Sequence, residues 1–172
     1  MRHVNTMEAL LTRRSVRKYA DTPVPSDVVH QVLVAAMHAP SADNEQPWQF
    51  IVIDDRRLLD AIPGIDSWAN MADGAPLAIL VCGDSRLVIN EGFWPQDCAA
   101  ATQNLLLAAW DLGVGSVWCG VHTEADLERA FRRLLRLPEE VMPFALVVLG
   151  YPAAPPPRVQ RFQEERVHRN GW

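Results

Sequence analysis

Arg13-Arg14-Ser15-Val16-Arg17-Lys18 gathers four cations and a hydroxyl into six residues. Guanidinium forks and a serine hydroxyl can surround a phosphate with charge-assisted hydrogen bonds, or reach the electron-rich edge of a heterocycle. A solvated basic turn at a helix C-terminus, favoured by the helix dipole, would carry the same residues. A second segment, 39–50, sets Ser41, Asp43 and Asn44 between Pro40 and Pro47. It can offer backbone groups and an amide to a planar polar ligand, or serve as a plain helix-to-strand connection with Ser and Asn in its turns. A third, 113–120, ends in Gly120, where a missing side chain lets a ligand approach the backbone. Cys119 beside it has no basic neighbour in sequence to lower its pKa, so it is expected to be a buried, inert thiol. Arg158 and Arg161 follow a polyproline stretch near the end. Plain solvation of that tail would leave Phe162, Val167 and Trp172 in water.

Several motifs are missing. No GxGxxG leads from a strand into a helix, and Gly113-Val-Gly115 stands in the reverse order. No GxxxxGK[ST] occurs, and Lys18 is the only lysine. His3, His30, His38, His122 and His168 show no HxxxH or HExxH spacing. Cys119 and His122 form one close pair with no second pair to complete a zinc site, so no metal is expected. GxSxG is absent. Any chemistry is therefore expected to belong to a bound cofactor.

The elements that must position these residues can be read from periodicity and punctuation. A helix is expected over 6–13. A second starts at Ser26 as N-cap, buries Val28, Val29, Val32, Leu33, Ala36 and Met37, and ends at Pro40. A strand over 48–54, a short helix over 55–62 stopped by Pro63-Gly64, and a strand over 77–83 come next. A long helix over 95–112 has Pro95 in its first turn and Gly113 as its stop. Its apolar residues run nearly all the way round, so it is expected to be buried in a core or at a subunit interface. A strand over 114–121 precedes a helix reaching Leu135, with Thr123 as cap and Asp126 in a capping box. A strand over 142–150 precedes an extended arm, 152–172. Helices alternating with strands in this order argue for an α+β fold, a mixed α/β sandwich.

The chain's 172 residues fit one domain, 1–172, with 49% hydrophobic and 22% charged residues. Its longest apolar runs, 75–83 and 144–151, fall far short of the ~20 residues that span a bilayer. Without an apolar leader, and with three dispersed cysteines, a reducing cytoplasm is the expected compartment. Residues 1–20 carry net +4, counting Arg2, and residues 158–172 carry +2, against −5 for the whole chain. Two basic ends on an acidic body exclude nucleic acid and anionic membrane as general partners, and suggest a local anion site. Fifteen of the sixteen basic residues are Arg, which suits bidentate phosphate binding.

Together the segments resemble the flavin-dependent nitroreductase family. Arg-Arg-Ser-Val-Arg at 13–17 resembles its N-terminal motif, and Pro-Ser-x-x-Asn-x-Gln-Pro-Trp at 40–48 its most recognisable loop. Asp97–Asn104 resembles its central helix and Gly113–Gly120 its flavin-edge segment. Gly150-Tyr151-Pro152 with Arg161 resembles its ending. The match runs in order along nearly the whole chain.

The resemblance implies a nitroreductase-like fold, with a mostly antiparallel sheet flanked by helices, in an intertwined homodimer that binds FMN between subunits. It implies that Arg13, Arg14, Ser15 and Arg17 grip phosphate, ribityl chain and pyrimidine edge. Pro40, Ser41 and Asn44 would come from the other subunit. Cys119 and Gly120 would present backbone N–H groups near flavin N5, and Arg161 and Arg158 would touch the phosphate. NADH or NADPH would be the donor, and a nitroaromatic, quinone or similar small aromatic the acceptor, with ping-pong kinetics. A specialised relative that breaks down flavin or dehalogenates reductively, and a flavin-binding module without turnover, are the alternatives. Larger members carry an Asn and a Lys before the second strand; 68–74 holds Asn70 but no lysine.

Overall fold

The computed structural model describes residues 5–172; Arg2 and His3 lie outside them. The elements, in chain order, are α1 (Thr6–Thr12), α2 (Ser26–Met37), β1 (Trp48–Ile53), α3 (Arg56–Ala61), β2 (Leu77–Asp84), α4 (Trp94–Asp111), β3 (Gly115–Gly120), α5 (Ala125–Leu135) and β4 (Val141–Gly150). The four strands form one antiparallel sheet in the order β1-β2-β4-β3. A single parallel bridge, Ser15 to Ser116, adds the N-terminal segment at the β3 edge.

Alternation along β2 decides the layers. Leu77, Ile79 and Val81 face one core, shared with Val28, Val32 and Ala36 of α2 and with Cys98, Ala101, Leu105 and Ala109 of α4. Ala78, Leu80 and Cys82 face a second core with Leu59 of α3 and Phe131 of α5. All eight β2 residues are buried, as a central strand covered on both faces requires. The result is the expected α+β sandwich, with helices on both sides of the sheet.

Expectations at two helix starts are corrected. Ser26 is the first residue of α2 rather than its cap; Pro25 holds the cap position, its fixed φ of −61° already suited to helix entry, and its carbonyl accepts the Val28 and Val29 N–H groups. Glu124, not Thr123, precedes α5, and Thr123 sits at φ +77°. The side chain that reaches back is that of Glu128, which accepts the Thr123 N–H at 3.0 Å, while Asp126 pairs with Arg129. The apolar circumference of α4 is largely met within the chain, because α1, α2 and all four strands pack against it. Leu106 is buried in this core, and Leu107, Ala108 and Trp110 stay partly exposed.

Candidate functional site

The segment after α1 runs beside β3 as a short extra strand. The Val16 N–H donates to the Ser116 carbonyl at 2.9 Å. That approach needs Gly115, because a Cβ there would lie 2.8 Å from Val16 Cβ. The Tyr19 hydroxyl clamps the segment through the carbonyls of Val16 (2.7 Å) and Val148 (3.1 Å). Residues 18–20 then pair with 151–153, which sends the C-terminal arm back toward α1.

This routing joins the two basic ends. Arg13 is half-buried, and burial, then the nearby charges of Arg161 and Arg14, disfavour its cation. Arg14 itself is buried. Its Nη1 donates to the Leu11 (3.1 Å) and Arg13 (2.6 Å) carbonyls and its Nη2 to the Val159 carbonyl (3.2 Å), tying the arm down. The Arg14 Nε is buried without a partner among the described residues. Ser15 and Arg17 are exposed on the same segment. Arg158 lines a groove of about 620 Å³ with Asn5, Glu8, Leu11 and Thr12 of the first helix and its cap.

The Arg17 charge also reaches Cys119. The thiol is nevertheless pushed up to about 11, first by burial and then by Asp66, with Arg17 opposing. It donates weakly to the Trp68 carbonyl at 3.7 Å. Cys119 is thus protonated at neutral pH and unsuited to nucleophilic work. Gly120 is exposed, and a Cβ built on it meets nothing within 4 Å. It lines a cavity of about 580 Å³ with Asp66, Trp68, His122 and Thr123. Trp68 is 84% exposed there, and Asn70 is exposed. Glu128 receives both the Thr123 N–H and His122 Nδ1 at 3.0 Å.

The Pro40–Pro47 loop is built differently. It contains a 3₁₀ turn, Ala42–Asn44, and Asp43, Asn44 and Gln46 all have positive φ. Such a backbone persists only when its surroundings hold it. Ser41 Oγ accepts the Gln46 N–H and Asn44 Oδ1 accepts from Gln46 Nε2, both at 3.0 Å. Pro40 and Asn44 are exposed. The loop is anchored to α4 and to the 89–90 turn rather than to the arginines: Asp97 Oδ1 accepts the Ala42 N–H, and Glu45 Oε2 accepts the Ile89 and Asn90 N–H groups. Sequence reasoning missed Glu45 and Asp97. The available signal was an acidic residue between two prolines and another in the first turn of the long helix.

Among the described residues, no group of three or more His, Cys, Asp or Glu side chains could hold a metal ion, and no helix is long and apolar enough to cross a membrane. The donor set is otherwise suited to an anion with an attached planar group: cations from both chain ends, an exposed serine, and a bare glycine backbone beside a cavity.

The family model described as the nitroreductase family matches residues 10–65 and 66–151. A relative from Methanothermobacter thermautotrophicus, provisionally named an NADH dehydrogenase/NAD(P)H nitroreductase, is 46% identical over 98% of this chain and 88% of its own. A crystal structure of a provisionally named protein of the same description from Parabacteroides distasonis superposes with a TM-score of 0.93 at 40% identity, covering 97% of this chain and 98% of that one. A provisionally named nitroreductase from Desulfovibrio desulfuricans, crystallised in complex with FMN, gives 0.85 at 32% identity, covering 98% of both chains.

Proposed function

The chain belongs to the nitroreductase family, and on that premise we propose that it is an FMN-dependent oxidoreductase. It takes electrons from NADH or NADPH and passes them to a small electron-poor aromatic such as a nitroaromatic or quinone. The observation that carries the reading is the approach of Arg161 to Arg13. Like charges brought together from opposite chain ends are costly unless an anion lies against them, and a single phosphate monoester is an anion of the right size.

Bound flavin supplies the hydride chemistry. The chain's own residues bind, orient and exclude water. Arg13 and Arg161 hold the phosphate. Arg14 works beneath them, its hydrogen bonds to backbone carbonyls fixing the arm that carries Arg161. Ser15 and Arg17 take the ribityl chain and the pyrimidine edge. Gly120 presents its N–H without a side chain in the way, and Cys119 contributes backbone rather than thiolate. Donor and acceptor use one cleft in turn, which gives ping-pong kinetics.

The site is completed by a second copy of the chain, which supplies Pro40, Ser41 and Asn44. Met7, Leu11, Phe162 and Trp172 are exposed on α1 and the arm, an amount of apolar surface that a homodimer would cover. Acid release of the bound chromophore followed by chromatography tests the cofactor. FMN is expected rather than FAD, because there is one phosphate-sized cluster and no dinucleotide fingerprint. A colourless protein that takes up no added FMN overturns the reading.

A further inference from the structure

Glu45 and Asp97 are both buried and lie within hydrogen-bonding reach of each other. Each spends one oxygen on backbone: Glu45 Oε2 accepts the N–H groups of Ile89 (2.7 Å) and Asn90 (3.0 Å), and Asp97 Oδ1 accepts that of Ala42 (3.0 Å). The other oxygens, Glu45 Oε1 and Asp97 Oδ2, are buried and have no donor among the described residues. Two such oxygens are satisfied together if one proton lies between the carboxyls. We propose that Glu45 and Asp97 share one proton and act as the positioning pair for the Pro40–Pro47 loop, so that this proton sets how well the loop meets a flavin. The proposal rests on the reading of that loop as part of the flavin site.

The pair joins three segments that otherwise have little reason to stay in register. Asp97 holds the loop at Ala42, Glu45 holds the 89–90 turn, and the shared proton links the two anchors. The loop's own backbone works against this order, since Asp43, Asn44 and Gln46 all have positive φ. The groups acting on the pair are Asp43, the three N–H donors and the carboxyls themselves. Asp43 is a further carboxylate rather than a cation, and its Oδ2 takes the Asn90 side-chain amide at 2.6 Å.

Protonation divides accordingly. Burial pushes the Glu45 carboxyl up, but the Asn90 and Ile89 N–H groups and the Asp97 acid outweigh it and leave it below its ordinary value. Burial, followed by the Glu45 contact, pushes Asp97 above its own, against the Ala42 N–H. Of the two, Asp97 is the carboxyl whose protonated form the surroundings favour. Its stabilising share is present at low pH and lost as pH rises through its raised value. The Glu45 share is present above the ordinary carboxylate range and lost as pH falls through its lowered value. The loop is best ordered between the two, with one proton on the pair.

Infrared difference spectra and FMN affinity test this together. The holoprotein should show the carbonyl stretch of a protonated carboxylic acid at a pH just above the ordinary carboxylate range, lost in Asp97→Asn and in Glu45→Gln. Asp97→Asn supplies a fixed donor to Glu45 Oε1 and keeps an acceptor for Ala42, so FMN should bind within about two-fold of wild type. Asp97→Ala, lacking both, should bind about ten-fold more weakly, the scale of one lost buried hydrogen bond. Wild-type affinity should fall as pH rises through the raised Asp97 value, with Asp97→Asn flat across the same rise. A missing carboxylic-acid band, or an Asn variant as weak as the Ala variant, overturns the shared proton. A band that is present while neither substitution changes FMN binding overturns the placing of this loop at the flavin, and with it the positioning role.

Discussion

Arg161, on the C-terminal arm, lies close enough to Arg13, at the end of the first helix, for its charge to disfavour the Arg13 cation. Two routes enforce this approach. The Tyr19 hydroxyl pins the N-terminal segment to β4, and Arg14 Nη2 pins the arm at Val159. An anion held against the two guanidinium groups would turn their repulsion into binding energy.

Arg13→Ala should weaken FMN binding by about 1.5–3 kcal/mol, the range for a charge-assisted hydrogen bond. Arg161→Ala should do the same, and the double variant should lose less than the sum if both grip one phosphate. Flavin fluorescence titration measures all three. Unchanged affinity in both single variants returns the segment to a solvated basic turn.

Gly120→Ala should separate stability from ligand binding. The added methyl meets no protein atom within 4 Å, so the urea midpoint should stay near wild type. FMN loading or turnover should fall, because the methyl enters the space assigned to the ligand. A variant equal to wild type in all three measurements would move the ligand away from Gly120.

Cys119→Ser should keep most of its reductase activity with FMN bound. The thiol is raised to about 11 by burial and by Asp66 despite Arg17, so a thiolate is scarce at neutral pH. Complete loss of turnover in a folded, flavin-loaded variant would contradict this.

Stability should fall in acid partly through Asp84. Its buried carboxylate accepts from Arg86 Nε (2.9 Å), Nη2 (2.7 Å) and backbone N–H (3.0 Å), and the Arg86 side chain first, against burial, holds it below its ordinary value. Its contribution is complete above the ordinary carboxylate range and disappears as pH drops through the lowered folded value. Urea midpoints at about pH 7 and about pH 3 should differ less in Asp84→Asn than in wild type. An equal difference would remove Asp84 from the acid response.

Much of this was legible in sequence because local signals and tertiary packing agree. The run from Leu77 to Gly83 is free of charged and strongly polar side chains, and β2 is the doubly covered strand. Gly113 ends α4 at φ +79°. The chain order of helices and strands is the one that periodicity implies. What escaped depends on distant partners. Nothing in the sequence says that Arg14 would be consumed by backbone carbonyls. Glu45 and Asp97 stand far apart in the chain, and only the fold buries them together. The apolar circumference of α4 signalled burial correctly, but periodicity cannot distinguish a crowded protomer core, where Leu106 lies, from a subunit interface.

Sedimentation of the FMN-loaded protein at micromolar concentration should give a homodimer. The exposed Phe162 and Trp172 of the arm and Met7 and Leu11 of α1 are the surface to be covered. Deleting residues 154–172 should weaken assembly and flavin binding together. A monomer of 19.2 kDa that retains FMN would show that one chain builds the whole site.

The most direct test of the central claim is an anaerobic spectrophotometric titration of the FMN-loaded protein with NADH and NADPH, followed by a quinone. The flavin absorbance should bleach with about one equivalent of at least one nucleotide, as expected for a two-electron hydride transfer, and return when the quinone is added. A flavin that neither nucleotide bleaches would contradict an NAD(P)H-dependent oxidoreductase and leave a flavin-binding protein without turnover.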